Sequence, residues 1–456
     1  MNTLNEFIAD FSSFVWGLPL VILLIGGGIF LLIYSKFLPF RYLGHAIQIL
    51  RGKYDNPNDS GQITHFQALT TALSSTIGMG NIAGVAVAIS IGGPGAMFWM
   101  WVSAIVGMST KFFTSTLAIM YRGKDSDDVL QGGPMYFIME GLGKSWKPLA
   151  VMFSVFGMIG ALPVVNVNQL TQAINDIILV PNGVEVSFVS NLTIAIVLVV
   201  LTSVVMFGGL KRISSTASKM VPSMVLLYFV FVMIILVSNY EVVPKYFLML
   251  ITDAFSAENY KGDPMLGGVL GALILHGIRR GAFSNEAGIG TAPLAHGAAK
   301  TNEPVREGLV AMLGPAIDTL VVCTLTALAI LVTGVWETTG NNGVSLTASA
   351  FRETMPTIGP YLLMLCVFIF SISSLFSYSY YGTKCLSFLI GADKKHYYSY
   401  IYVLSIILAA TTPFSLMLNL IDGVFALMAI PTMLATLILA PKVLKEIKAY
   451  TRKNLR

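Results

Sequence analysis

Residues 64–90, THFQALTTALSSTIGMGNIAGVAVAIS, make an apolar stretch long enough to cross a bilayer, yet Gly78-Met79-Gly80-Asn81 falls at its centre. Glycine in a helix interior costs roughly 1 kcal/mol against alanine, and two glycines beside an asparagine invite the backbone to open. An opening in mid-membrane frees carbonyls and N–H groups that no water can reach. It is tolerable only where those groups line a cavity or hold a ligand. The stretch therefore predicts a discontinuous helix with a binding site at its break.

The rest of the chain is membrane material. Of 456 residues, 55% are hydrophobic and only 11% charged, against about 25% charged in soluble domains. No segment carries enough charge over enough length to make the surface of a water-soluble domain. Cys323, Cys366 and Cys385 lie in or beside apolar runs without metal-type spacing and read as buried small hydrophobes. No Lys or Arg precedes the first apolar run, so the N-terminus does not read as a cleaved signal peptide.

With about 20 apolar residues per span, helices are expected at 14–35, 64–90, 95–121, 147–179, 189–209, 217–239, 264–295, 305–334, 357–385, 397–412 and 415–440, eleven in all. Thr411-Thr412-Pro413 must turn the chain between the last two. Charge placement tests this count, because Lys and Arg collect in cytoplasmic loops. With the N-terminus outside, the inner loops hold Lys36, Arg41, Arg51, Lys53, Arg122, Lys124, Lys144, Lys147, Lys211, Arg212, Lys219, Lys300, Arg306, Lys384, Lys394 and Lys395. The outer loops hold only Lys245, Lys261 and Arg352, set among acids. Residues 441–456 form a basic cytoplasmic tail ending at Arg456. The net charge of +5 thus means a basic inner face, with nothing that suggests nucleic-acid binding. KFLPFRYLGHAIQILRGK, residues 36–53, spaces Phe40, Leu43, Ile47 and Leu50 among basic residues as an amphipathic helix on the inner leaflet would.

A second span is as glycine-broken as the first. Residues 264–295 contain HGIRRGAFSNEAGIGTAP, with Gly277, Gly281, Gly288 and Gly290 around Ser284, Asn285 and Glu286, then Pro293. The two broken helices, second and seventh in order, enter the membrane from opposite sides. Interrupted helices at matching positions of two oppositely oriented five-helix units point to an inverted-repeat secondary transporter. Residues 64–239 would form one repeat and 264–440 the other, within a single transmembrane domain that carries 14–35 as an extra helix.

Half-helix N-termini suit a carboxylate, and opened carbonyls suit an ammonium or Na⁺. Residue 64 starts at the cytoplasm, so Gly80 and Asn81 can offer N–H groups to a carboxylate and the carbonyls of Thr76 to Met79 oxygen to Na⁺. The glycines also fit close helix packing, since Gly80 and Gly84, Gly267 and Gly271, and Gly277 and Gly281 stand at GxxxG spacing. Packing leaves Asn81, Asn285 and Glu286 unexplained, because polar groups at membrane depth are expensive.

GGPGAMFWMWVSAIVG, Gly92 to Gly107, resembles the signature of the alanine or glycine:cation symporters, also called sodium:alanine symporters. THFQALTTAL, GNIAGVA, QGGPMYFIMEGLG, RGAFSNEAGIGTAP and SYYGTKC resemble that family in the same order, so the likeness covers nearly the whole chain. It implies an all-α, leucine-transporter-type five-plus-five inverted repeat in a prokaryotic plasma membrane. The implied activity is uptake of alanine or glycine with Na⁺ as coupling ion, without a cofactor. Two positions depart from the pattern: Met79 stands where the family has Thr, and Tyr378 where it has Trp.

Other buried polar residues complete the expected site. On 147–179, where Pro163 should kink the helix, Asn166, Gln169 and Gln172 share a face and Asn168 points elsewhere. The resemblance favours Gln169 as a substrate contact, with Asn166 beside it. Ser371, Ser373 and Ser374 interrupt 357–385, and the resemblance matches Ser373 and Ser374 to the hydroxyl pair of a Na⁺ site. The expected Na⁺ set is thus Thr76, Met79, Ser373 and Ser374. The expected substrate set is Thr76, Gly80, Asn81, Asn166, Gln169, Phe283, Ser284, Asn285, Glu286, Ser374 and Tyr378, with Phe283, Phe376 and Tyr378 restricting its size. Asp318, a lone acid, would bind an ion or pair with Arg279 or Arg280. Asp422 and Lys111, nearer helix ends, would snorkel. His276, close to the second break, keeps proton coupling open.

An ion channel would need a pore between symmetric subunits or a repeated filter, which two opposed mid-membrane breaks do not resemble. An enzyme is not indicated either: Ser284 has no G-x-S-x-G context and no H-E-x-x-H is present.

Overall fold

The computed structural model describes residues 2–264 and 268–454. Gly267, expected to pair with Gly271, the first turn of the 264–295 helix at 265–267, and Arg456 of the tail lie outside them. Among the described residues, seven helices are long and apolar enough to cross a membrane: Gly95–Met120, Lys144–Asn182, Phe188–Met206, Gly209–Ser238, Pro304–Val332, Gly359–Ile390 and Phe414–Asn454. Two bent pairs raise the count to nine, Glu6–Val15 with Leu18–Tyr34 at 46° and His65–Thr76 with Gly80–Gly92 at 52°. The expected spans at 264–295 and 397–412 correspond to Gly268–Asn285, which carries His276, Arg279 and Arg280, and to the 16-residue His396–Thr411.

Several boundaries differ from expectation for local reasons. The first helix starts at Asn2 instead of residue 14, and its bend at Trp16 is pinned by the indole, which donates to the Asp422 carbonyl at 2.8 Å. Lys147–Gly160 stops ahead of Pro163 and Val164–Ile174 begins after it, because a proline removes a backbone donor and cannot continue the ladder. Phe414–Asn454 runs without interruption into the basic tail. Two amphipathic helices, Val243–Ser256 and Val344–Thr354, were hidden between spans, and a two-stranded ribbon joins Gly123–Lys124 to Leu130–Gln131.

Phe188–Met206 and Gly209–Ser238 expose Val189, Val200, Val204 and Leu226 and face lipid, whereas Gly95–Met120 is the buried centre post. Against that post the second broken helix packs closely. A Cβ on Gly277 would lie 2.6 Å from the Trp99 Cβ, and one on Gly281 2.8 Å from that of Ser103. These two glycines serve packing, and the break lies further on.

Asp422 and Lys111 do not snorkel. They are 1% and 2% exposed, because neighbouring spans cover them. Asp422 accepts from Arg279 Nε at 3.1 Å and also from Arg280, whose guanidinium is 4% exposed. Removing one partner of a buried pair leaves an uncompensated charge and costs about 3–5 kcal/mol. Asp422→Asn is therefore expected to lower the thermal unfolding midpoint in detergent far more than Asp393→Asn on an exposed turn, and equal midpoints would refute this account.

Candidate functional site

The first broken helix begins on a capping box, in which the Thr64 hydroxyl accepts from Gln67 N and the Gln67 amide oxygen from Thr64 N. It closes its last α-turn at Ile77, and after two residues the chain resumes as a π-helical turn over Gly80–Gly84. The N–H groups freed between these pieces are met by side-chain amides. Asn81 Oδ1 accepts from Gly78 N at 3.0 Å, and Asn166 Oδ1 accepts from Met79 N at 3.2 Å. Gly78 has no room for a side chain, since a Cβ would stand 2.5 Å from Ser374 Oγ and 3.1 Å from Asn166 Oδ1.

The second break spans the residues between Asn285 and Ala292. Glu286, Gly288 and Gly290 have φ of 52°, 83° and 106°, the left-handed region that glycine enters freely and glutamate only under strain. What holds Glu286 there is its carboxylate, which accepts from the hydroxyls of Thr291 and Tyr378. Asn285 Oδ1 caps the opened chain by accepting from Ala287 N at 3.0 Å.

The breaks meet. A Cβ on Gly80 would lie 3.5 Å from the Ser284 Cα, and a cavity of about 20 Å³ is lined by Thr76, Met79 and Gly80 from one break and Phe283 and Glu286 from the other. Asn166, Tyr378, Ile421 and Phe425 help to enclose it. A water needs about 10–15 Å³ measured this way, so the cavity holds a water or two, and an amino acid needs its walls to move.

Asp318 joins the two breaks from a third helix. It sits in a π-helical stretch, Ala316–Cys323; one carboxylate oxygen accepts from Asn81 Nδ2 at 2.7 Å, and the other from Ser284 Oγ at 2.9 Å and Thr319 Oγ1 at 2.7 Å. It does not pair with Arg279 or Arg280, which turn away to Asp422. Lys111 is buried on the centre post, and a Cβ on Gly314 would lie 3.3 Å from its Nζ.

The remaining expected residues are distributed unevenly. Ser374 approaches Gly78 while its hydroxyl donates to Phe370 O at 3.1 Å. Ser373, one position earlier, donates to Phe370 O at 2.8 Å and lies against the Met224 sulfur. Gln169 is fully buried but does not line the cavity. Its oxygen accepts from Val344 N at 3.2 Å and its amide nitrogen donates to Gln172 at 2.8 Å. Asn168 donates to the carbonyls of Ala409 and Thr412, away from the site.

The faces on either side of the cavity are tied differently. Beyond Gln169, Gln172 donates to Ser345, whose hydroxyl donates to Asp176 at 2.6 Å. On the face carrying the C-terminal tail, the short helix Ala292–His296 has its carbonyl end held by cations: Lys384 Nζ donates to Leu294 O at 2.9 Å and Arg122 Nε to Gly297 O at 2.9 Å. Arg122 also donates to the carbonyls of Ser60, Ala299 and Thr301. Burial lowers its pKa to about 10, so it stays charged at neutral pH. Nearby, Glu307 bridges the imidazoles of His65 and His296, and both broken helices are thereby fastened to one carboxylate.

The sequence pattern of the sodium:alanine symporter family matches residues 1–456. The chain belongs to that family. It is 39% identical over 461 residues to the sodium/alanine symporter AgcS of Methanococcus maripaludis, covering 100% of this chain and 98% of that one. It is 34% identical to the Bacillus subtilis protein named "Probable sodium/glutamine symporter GlnT", covering 99% of this chain and 91% of the other. Among solved structures, MhsT in complex with L-phenylalanine superposes with a TM-score of 0.61 at 13% identity, over 84% of this chain and 98% of that one. That likeness shows a leucine-transporter-type fold. The family and these relatives are transporters, not enzymes.

Within this sodium:alanine symporter family member, Asp318 is the site residue that sequence reasoning left without a position, and the signal was a lone acid in an apolar run. Ile421 and Phe425, on the last span, carried no signal at all. Asn81 serves both the freed Gly78 N–H and Asp318, so Asn81→Ala strips a donor and an acceptor from buried partners, at about 1–3 kcal/mol each. A clear fall in the unfolding midpoint is expected in a thermal-shift assay, and Asn81→Asp, which keeps the acceptor but sets two carboxylates together, should not rescue it. Rescue by Asp would refute the role given to Asn81.

Proposed function

We propose that this chain is a secondary active symporter that couples Na⁺ influx to uptake of small neutral amino acids, alanine and glycine first, by alternating access. The observation that carries the reading is a cavity walled by both helix breaks, with Thr76, Met79 and Gly80 on one side and Phe283 and Glu286 on the other. A ligand seated there would touch opened backbone of two helices at once, which is how a small molecule can bias a large motion.

In this proposal the substrate carboxylate takes the N–H end at Gly80 and Asn81, and the ammonium lies toward Glu286 and the opened carbonyls. Glu286 supports the ammonium end of that orientation, because it is the acid that lines the cavity among the described residues, whereas Asp318 is turned to Asn81, Ser284 and Thr319. Phe283 lines the cavity and also lies 5.3 Å from the Arg280 guanidinium. Phe283, Phe425 and Tyr378 line the cavity and would hold the ligand to a short side chain once its walls part.

Na⁺ is assigned to the carbonyls near Thr76 and Met79 with the hydroxyls of Ser373 and Ser374. The close approach of Ser374 to Gly78 supports it. Asn166 is the amide we put at the ligand. Gln169, engaged with Val344 and Gln172, we put on the route between the cavity and the face opposite the tail. Ser284, Asn285 and their link to Asp318 and Thr319 form the wall behind the substrate. The proposal includes eleven spans arranged as the helix at 14–35, repeats 64–239 and 264–440 and the tail from 441, in a prokaryotic plasma membrane with the N-terminus outside and the tail inside.

Proteoliposomes test it. Labelled alanine should accumulate with an inward Na⁺ gradient and fail to accumulate without one. Accumulation driven by a pH gradient alone would move the coupling ion to H⁺, and accumulation of glutamine in preference to alanine would move the substrate. Ser374→Ala should raise the Na⁺ concentration for half-maximal uptake by about tenfold, the value of one bond to a charged group. An unchanged Na⁺ dependence would remove Ser374 from the ion site.

A further inference from the structure

Far from the cavity, a groove of about 400 Å³ opens between the foot of Leu18–Tyr34 and the C-terminal part of Phe414–Asn454. Four basic residues line it, Lys36 and Arg41 on one bank and Lys448 and Arg452 on the other, and among the described residues no acidic one does. All four are exposed, and none belongs to an ion pair among the described residues. A basic patch with no acid to balance it is unusual beside a tail that does use one of its cations, since Lys453 pairs with Glu303 at 2.5 Å.

The groove is built, not left over. Lys36 and Phe37 both take left-handed backbone, with φ of 56° and 55°, which is strained for side-chain-bearing residues. Their N–H groups fold back onto Ile33 and Leu32 carbonyls at 2.8 and 2.9 Å, and this reverses the chain so that Leu38–Arg41 and Leu43–Leu50 lie across the end of the span. The far bank is anchored by His45 Nε2 against the Tyr450 hydroxyl at 2.7 Å. Between the banks the floor is apolar, formed by Leu38, Leu444 and Ile447.

The depth in the membrane follows from what flanks it. Ile33, Phe37, Phe40, Leu43 and Ile47 are 38% to 58% exposed, a continuous apolar face that belongs in acyl chains. A site with an apolar floor, four unpaired cations and a lipid-facing rim has the chemistry of an anionic phospholipid. We infer that this groove binds the headgroup phosphate of an anionic phospholipid, with its acyl chains on the Phe37 and Phe40 face. Basic pockets at the membrane surface bind such headgroups in general. The inference stands apart from the transport reading and draws on the proposed orientation only to assign the lipid to the inner leaflet.

The test uses the full chain in neutral detergent, with binding read by native mass spectrometry and by thermal shift. Phosphatidylglycerol should be retained and should raise the unfolding midpoint, while phosphatidylcholine should do neither. Lys36→Gln/Arg41→Gln/Lys448→Gln/Arg452→Gln should weaken phosphatidylglycerol binding by at least about tenfold. Lys448→Gln/Arg452→Gln, confined to an exposed helical face, should give an intermediate loss with an unchanged lipid-free midpoint. Lys211→Gln/Arg212→Gln/Lys219→Gln, which removes charge elsewhere, should bind as the unaltered protein does. Equal loss in this last variant would reduce the effect to bulk charge and overturn the site. Retention of phosphatidylglycerol by both groove variants would overturn it too, as would stabilisation by inorganic phosphate as strong as that by the lipid.

Discussion

Asp318 is the group on which both interrupted helices lean. A carboxylate at membrane depth is unfavourable unless donors surround it, and here the donors come from Asn81 on one broken helix, Ser284 on the other and Thr319 beside it. The dependence runs both ways. Asn81 can cap the freed Gly78 N–H with its oxygen because its nitrogen is turned toward Asp318, so the amide's orientation is set by the acid. The two π-helical stretches, Gly80–Gly84 and Ala316–Cys323, are the local price of bringing these groups to one level, since an α-helix would rotate the next side chains off the shared face.

The two faces of the molecule are secured by different chemistry. On the tail face, Arg122, partly buried, gathers four carbonyls and Glu307 holds two buried imidazoles, and a single displacement there would strand several polar groups together. On the opposite face, the chain Gln169, Gln172, Ser345 and Asp176 uses mostly neutral hydrogen bonds, and Ser345 and Asp176 meet solvent at its end. Neutral, wetted bonds exchange with water at little net cost. The face opposite the tail is therefore the easier one to open from this arrangement.

Much of the site was legible because membranes make polar residues conspicuous. Gly78-Met79-Gly80-Asn81 and Ser284-Asn285-Glu286 stood out against apolar flanks, and both stretches border the same cavity. The partners of single charges were not legible. Asp318 lies 38 and 39 positions from Arg280 and Arg279, and Asp422 lies far beyond, so only packing decides which acid the arginines meet. Gln169 shows the limit of helical-face reasoning: Asn166 and Gln169 do share a face, but one turn along the helix carries that face from the cavity to Val344. The helices Val243–Ser256 and Val344–Thr354 were not legible because a short amphipathic segment carries no long apolar run.

Met79 and Tyr378, where the resemblance leads one to expect threonine and tryptophan, both line the cavity, and the two differences would change its size in opposite directions. Methionine is larger than the threonine it replaces, and tyrosine is smaller than tryptophan, so the enclosed volume changes little. Polarity changes more. The first break loses a hydroxyl that would compete for the freed backbone groups near Met79, and those groups are left to Asn81 and Asn166. On the facing wall, the Tyr378 hydroxyl donates to Glu286 and so occupies one lone pair of the carboxylate that, among the described residues, borders the cavity. A ligand ammonium would then meet Glu286 from a direction limited by the Tyr378 ring. Selectivity in such a site rests on the separation between the two charged ends of the ligand, which all α-amino acids share, and on side-chain bulk, which Phe283, Phe425 and Met79 limit from three sides.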